Sequence, residues 1–160
     1  MKKVIMLIAM MMVFVSFASA QEKKQIIISS SEKAELMPAV EDALKNIIKR
    51  FKGSYQSTTI DHVYGVSDSE ILVEGMVRYH TRTCGDVNTD YQVNIRVGDY
   101  DTYVYASIYT PYCTNLTGKH KRRYSKWDDR GQKWLLWNDK TKKMVVNTAV
   151  KLIIKRFLGV

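Results

Sequence analysis

Polar and apolar positions alternate most cleanly between Tyr91 and Cys113, where two regular runs flank Gly98-Asp99-Tyr100-Asp101. Period-two alternation, β-branched and aromatic enrichment, and a Gly/Asp break predict a β-hairpin. On its first strand Tyr91, Val93, Ile95 and Val97 share one face, and Gln92, Asn94 and Arg96 the other. On its second, Val104, Ala106 and Ile108 alternate with Tyr103, Tyr105, Ser107 and Tyr109. Pro111 ends that strand, because proline has no N–H to give to a ladder. Upstream, Glu70 to Arg82 predicts a strand with Ile71, Val73, Val77 and Tyr79 on one face and Glu74, Arg78 and His80 on the other. Thr58 to Val66 predicts the strand before it, Ser67-Asp68-Ser69 a turn, and Cys84 to Asn88 a loop. Downstream, Lys119 to Lys126 reads as a fifth strand or an exposed loop, and Trp134 to Trp137 as a sixth strand. Met144 to Val146 reads as the partner of that strand or as the start of a helix.

The period lengthens near both ends. Ser29 to Glu32 matches the S-x-x-E capping box, and Met37, Val40, Leu44, Ile47 and Phe51 recur at spacings of three and four, which predicts a helix up to Lys52. Pro38 suits only a first turn and so shifts the expected start later, while Gly53 is the expected left-handed residue past the end. A second helix is expected from about Asn147 to Leu158, with Val150, Ile153 and Phe157 as its stripe. Ile47 to Gly53 is echoed by Ile153 to Gly159, which we read as two helix ends solving one packing problem. Gln21 to Ser31 is polar apart from Ile26 to Ile28, and reads as an arm or a short edge strand. An antiparallel sheet that buries one face needs a cover, and two apolar-striped helices supply it. The expectation is therefore an α+β fold: an N-terminal helix, an antiparallel β-meander of about six strands, and a C-terminal helix, both helices on one sheet face. That outline resembles the cystatin-like folds in architecture; the cystatin inhibitory motif is absent, and architecture alone implies no function.

The first residues change the picture. Lys2 and Lys3, an apolar run from Val4 to Phe17, and Ala18-Ser19-Ala20 have the form of a secretory signal peptide over residues 1–20, cut before Gln21. The run is shorter than the roughly 20 residues that span a bilayer, and no later stretch is apolar enough to do so. The expectation is one domain over residues 21–160, secreted or periplasmic, with a Lys-Lys leader of bacterial type. Without Lys2 and Lys3 the formal charge falls from +9 to +7. In an oxidising compartment Cys84 and Cys113 are expected to form a disulfide worth about 3–4 kcal/mol in the chain-entropy model. Both follow strands that run the same way one strand apart, so their loops must lean across about 9–10 Å to bring the Cα atoms within about 7 Å.

Candidate chemistry is sparse. His80-x3-Cys84 and Cys113-x6-His120 hold metal-ligand residue types, but the spacing matches no common zinc module and oxidation consumes both thiols. No metal or cofactor is expected. No serine sits in a G-x-S-x-G elbow. Asp61 and His62 would point to opposite faces of a strand, and Asp128, Asp129 and Asp139 suit turns. Glu74 and His80 share a strand face, which supports a second reading as a small secreted hydrolase or metal-dependent enzyme. The favoured reading is a non-catalytic binding or accessory protein of the bacterial cell envelope, with Tyr103, Tyr105, Tyr109, Arg96 and Arg78 holding the ligand, since tyrosine and arginine dominate recognition surfaces. The positive charge and the basic run Lys119 to Lys126 point to an anionic envelope component, a glycan or an acidic protein surface, and an exported chain rarely meets nucleic acid. Asn115-Leu116-Thr117 fits the N-glycosylation pattern, which matters only in a eukaryotic secretory pathway.

Overall fold

The computed structural model describes residues 23–82, 84–99, 102–110, 126–127, 135–136 and 140–160. In chain order these form β1 (Lys24–Ile26), α1 (Ser30–Arg50), β2 (Gly53–Thr58), β3 (His62–Gly65), β4 (Glu70–Thr81), β5 (Gly85–Val97), β6 (Thr102–Thr110), β7 (Lys126–Trp127), β8 (Leu135–Leu136) and α2 (Lys140–Leu158). Every strand pair is antiparallel. Laterally the order is β1, β3, β4, β5, β6, β7, with β2 also on β4 and β8 also on β6. The α+β class, the antiparallel sheet and the terminal position of both helices agree with the sequence pattern. The leader expected over residues 1–20 lies outside the described residues.

One apolar face of the sheet carries the core. Ile71, Val73, Val77 and Tyr79 of β4, Val87, Tyr91, Val93, Ile95 and Val97 of β5, and Val104, Ala106 and Ile108 of β6 form a single cluster with both helices. The alternation that predicted the hairpin is the alternation that builds this cluster. In α1 the buried residues are Leu36, Ala39, Val40, Ala43, Leu44, Ile47 and Ile48. The stripe is thus rotated from the expected one, leaving Met37 and Phe51 at its half-buried rim. In α2 Val146, Ala149, Val150, Ile153 and Ile154 are buried. Phe157 lies directly on the Gly65 backbone, where any Cβ would come within 2.2 Å of the ring. Thr102 Oγ1, fully buried on the inner face of β6, donates to Asn147 Oδ1 and fixes α2 along that strand.

Several local expectations are corrected. The capping box starts α1 where it stands: Ser29 Oγ accepts from Glu32 N at 3.2 Å, and Ser29 N donates to Glu32 Oε2 at 2.8 Å. Pro38 therefore lies inside the helix, and the residue whose carbonyl loses a donor, Ala34, is exposed. Past α1 the left-handed residue is Lys52, at φ 56°, not Gly53. Gly53 serves close approach instead, since a Cβ there would stand 3.0 Å from both His80 O and Ile48 Cγ2. Of the run expected from Thr58 to Val66 only His62–Gly65 (β3) and Thr58 are strand. Thr58 ends an earlier strand, β2, which is bulged between Tyr55 and Ser57, and β2 and β3 lie end to end on β4. Gly85 to Asn88 is strand, not loop, paired with β4 from Thr81 to Arg78. Met144 to Val146 belongs to α2, which begins at Lys140, because Val146 continues the buried three-and-four spacing of that helix. Among the described residues no helix is long and apolar enough to cross a membrane.

Candidate binding face

The sheet face away from the helices is arranged in cross-strand rows. At one end Glu70, Arg96 and Tyr103 stand side by side on β4, β5 and β6. Next come Tyr64, Leu72, Asn94 and Tyr105, then His62, Glu74, Gln92 and Ser107. Beyond them Met76 faces Asp90, Arg78 faces Asn88, and His80 faces Asp86. The register thus brings Arg96, Tyr103 and Tyr105 together. It separates Arg78, which lies eight residues along β4 from the Arg96 row, or about 27 Å at the rise of an extended strand. Tyr109 lies about 20 Å from Tyr103 along β6 by the same rise. The five candidate residues therefore do not make one cluster.

At the first end the Arg96 guanidinium stacks over the Tyr103 ring, 5.5 Å from its centroid. Arg96 is exposed and Tyr103 and Tyr105 are half-buried. Asn94 Nδ2 donates to Glu70 Oε1 at 2.6 Å. A cleft of about 710 Å³ opens beside this stack, between the β3–β4 turn, the β5–β6 turn and the last two turns of α2. Arg96, Tyr103, Lys151 and Lys155 line it together with Asp68, Asp99 and the apolar side chains of Ile154 and Leu158. The sheet end supplies the aromatic and the helix supplies the lysines, so the site needs both halves of the fold.

The middle of the face is not open. Leu72 points away from the helices yet is only 2% exposed, and Ser107 is 8% exposed. Beside them a smaller recess of about 280 Å³ is lined by Asp61, His62, Glu74, Gly75, Asp90, Tyr91 and Gln92. Glu74 Oε1 accepts from Gln92 Nε2 at 2.8 Å, and His62 Nδ1 lies 3.0 Å from Gln25 Nε2. Burial, then the charge of Glu74 and a hydrogen bond to it, raise the Tyr64 hydroxyl above its ordinary value. Asp61 and His62 both line this recess, contrary to the strand-alternation expectation, because residue 61 falls in the irregular link between β2 and β3. Tyr91 reaches through from the core and donates to Thr59 O at 2.8 Å, with burial the main cause that holds its hydroxyl far above the usual phenol range. The alternation of His62 and Tyr64 was the available sequence signal for this recess; its pairing with Glu74 needed the register.

At the far end His80 Nδ1 lies 2.9 Å from Asp86 Oδ1, Gln56 Nε2 donates to the same oxygen at 3.1 Å, and Arg78 stands 3.8 Å from Asp86 Oδ2. These hydrogen bonds, His80 first, hold the Asp86 carboxyl below its ordinary value. His80 and Glu74 are six residues apart on one strand, about 20 Å, so no acid–base pair forms between them. Among the described residues no three His, Cys, Asp or Glu side chains converge as metal ligands. Cys84 is half-buried past the end of β4, its N–H on Thr81 Oγ1 at 3.0 Å, and no described cysteine is free. Cys113, His120, Asn115 and the basic run before Lys126 lie outside the described residues. Comparison with known proteins finds no match to the chain among family models, curated proteins or solved structures.

Proposed function

We propose that the chain is an exported, non-catalytic binding protein of the bacterial cell envelope, and that its ligand is an anionic envelope component seated in the cleft at the Arg96 end of the sheet. The observation that carries this reading is the Arg96–Tyr103 stack at the mouth of a cleft whose helical wall presents Lys151 and Lys155. A flat aromatic ring with a guanidinium over it suits a planar or ring-shaped group, and three cations suit an acid function on that group. An acidic glycan combines both features, and an acidic side chain on a protein surface combines them less fully. Asp68 and Asp99 on the rim give the site polar selectivity rather than a uniform positive field. Tyr109 and Arg78 are too far along their strands to share this ligand. Export and a Cys84–Cys113 bond belong to the same proposal, since both follow from the leader and the even cysteine pair.

The test is calorimetric titration with acidic and neutral oligosaccharides of equal length, using the wild type, Arg96→Ala and Tyr103→Ala. The acidic sugar is expected to bind, and each variant to lose about 1–2 kcal/mol, or roughly tenfold, the size of a desolvated cation–π or hot-spot contact. Equal affinity for both sugars, or variants that bind as the wild type does, would sink the reading. Unfolding curves within about 0.5 kcal/mol of wild type establish that the variants are folded, as expected for substitutions at a half-exposed site.

A further inference from the structure

The helix α2 has an unusual composition. It carries Lys140, Lys142, Lys143, Lys151, Lys155 and Arg156 and no aspartate or glutamate. Its inner side is spent on the core, from Val146 to Ile154. Its outer side is not simply polar. Met144 is 65% exposed, Val145 41% and Leu152 50%. The helical repeat sets Met144, Thr148 and Leu152 in one row, four residues apart, with Lys151 and Lys155 in the row beside it. Leu158, the last residue of the helix, and Val160 past it are exposed as well. Arg156 is otherwise engaged, on Glu32 and on Ile27 O.

A face that met only water gains nothing from three exposed apolar side chains among lysines. A soluble polyanion would use the lysines and leave the apolar groups unrewarded. An anionic bilayer rewards both, because apolar side chains enter the boundary between headgroups and acyl chains while lysines stay at the phosphates. We propose that the outer face of α2 docks on an anionic phospholipid surface, with Met144, Val145 and Leu152 entering the interface and Lys151 and Lys155 meeting the headgroups. Lys151 and Lys155 are shared with the glycan cleft, but the apolar part of the face is separate from it: Met144 and Leu152 do not line the cleft.

The experiment is co-sedimentation of residues 21–160 with vesicles of phosphatidylcholine alone, or of phosphatidylcholine and phosphatidylglycerol in equal parts. Every described residue of the hydrophobic core lies at or after Ile26, so residues 21–160 retain all of the described fold. Binding is expected to the anionic vesicles only, weakening as salt is raised. Met144→Gln/Leu152→Gln is expected to lower the partition coefficient about tenfold through lost insertion, and Lys151→Gln/Lys155→Gln by a similar factor through lost headgroup attraction. The apolar double variant replaces exposed side chains only and is expected to unfold at the wild-type temperature and to keep its glycan affinity. No sedimentation with anionic vesicles, equal sedimentation with neutral ones, or an apolar double variant that binds like the wild type would each overturn the proposal. Wild-type binding to soluble polyphosphate without vesicle binding would overturn it too, by assigning the face to a polyanion.

Discussion

At Gly75 the side chain is decided by a neighbour's backbone. A Cβ built there would stand 2.0 Å from Thr59 O, the same carbonyl that accepts the Tyr91 hydroxyl. The link between β2 and β3 is pinned at this point, with Thr59 N donating to Met76 O and Asp61 N to Glu74 O. A methyl group can enter only if that link lifts off β4. Gly75→Ala is expected to cost about 1–3 kcal/mol, the range of overpacking in a closed site, as read by urea unfolding; a loss under about 0.5 kcal/mol would contradict the close approach. In the sequence Gly75 falls between Val73 and Val77 on the apolar face, and nothing local announces that a backbone from sixteen residues upstream crosses it. Lys52 and Gly53 teach the same lesson. Local rules give the left-handed conformation to glycine, yet the contact of Gly53 with β4 uses up that glycine and leaves φ 56° to a lysine.

Among the elements, the junction of α1 and α2 makes the clearest energetic statement. Glu32 closes the capping box and also takes the Arg156 guanidinium from the far end of the chain. Burial alone would raise its pKa, but the Ser29 N–H and hydroxyl and the Arg156 charge outweigh it and hold the carboxyl below its ordinary value. A carboxyl depressed in the folded state stabilises the fold above its unfolded pKa, and that contribution is lost as pH falls through the folded value. Stability between pH 7 and pH 3 is therefore expected to drop less steeply in Arg156→Gln than in the wild type, and Ser29→Ala is expected to cost about 1 kcal/mol at pH 7. Unfolding curves at the two pH values check both; parallel pH profiles would deny Glu32 its partners. The box itself was readable, since it is written in four consecutive residues. Its ion-pair partner was not, because Arg156 is 124 residues away. The start of α2 failed for a related reason: Met144 to Val146 suits a strand by composition, and only the depth of Val146 in the core makes it helix.

For the molecule as a whole, period-two alternation was enough to predict one buried face and the antiparallel class, and the three-and-four spacing near the ends was enough to predict two covering helices. Neither pattern could give lateral position. That β2 and β3 share one neighbour, and that Arg96 of β5 stands beside the start of β4 while Arg78 lies toward the other end of that strand, depend on register set by pairs far apart in sequence. The candidate site was legible to the same extent: its tyrosines and Arg96 from alternation, its lysines not, because they arrive from α2. The proposed bond between Cys84 and Cys113 acts at this scale by shortening the unfolded chain. Reduction is expected to lower stability by about 3–4 kcal/mol, read by unfolding with and without reductant. Two thiols that titrate in the unreduced protein would end that proposal.

The sheet's rims bear on what kind of partner can be held at all. β1 offers three residues at one side, β2 is bulged, and β7 and β8 are two residues each. An extended peptide that binds by lengthening a sheet needs a straight row of unspent N–H and C=O groups. Among the described residues, rims this short and uneven offer no such row, and they equally offer a second copy of the chain no straight template for stacking edge to edge. Recognition by side chains across a surface therefore suits these described rims better than strand-for-strand zippering, the common route from recognition to fibre.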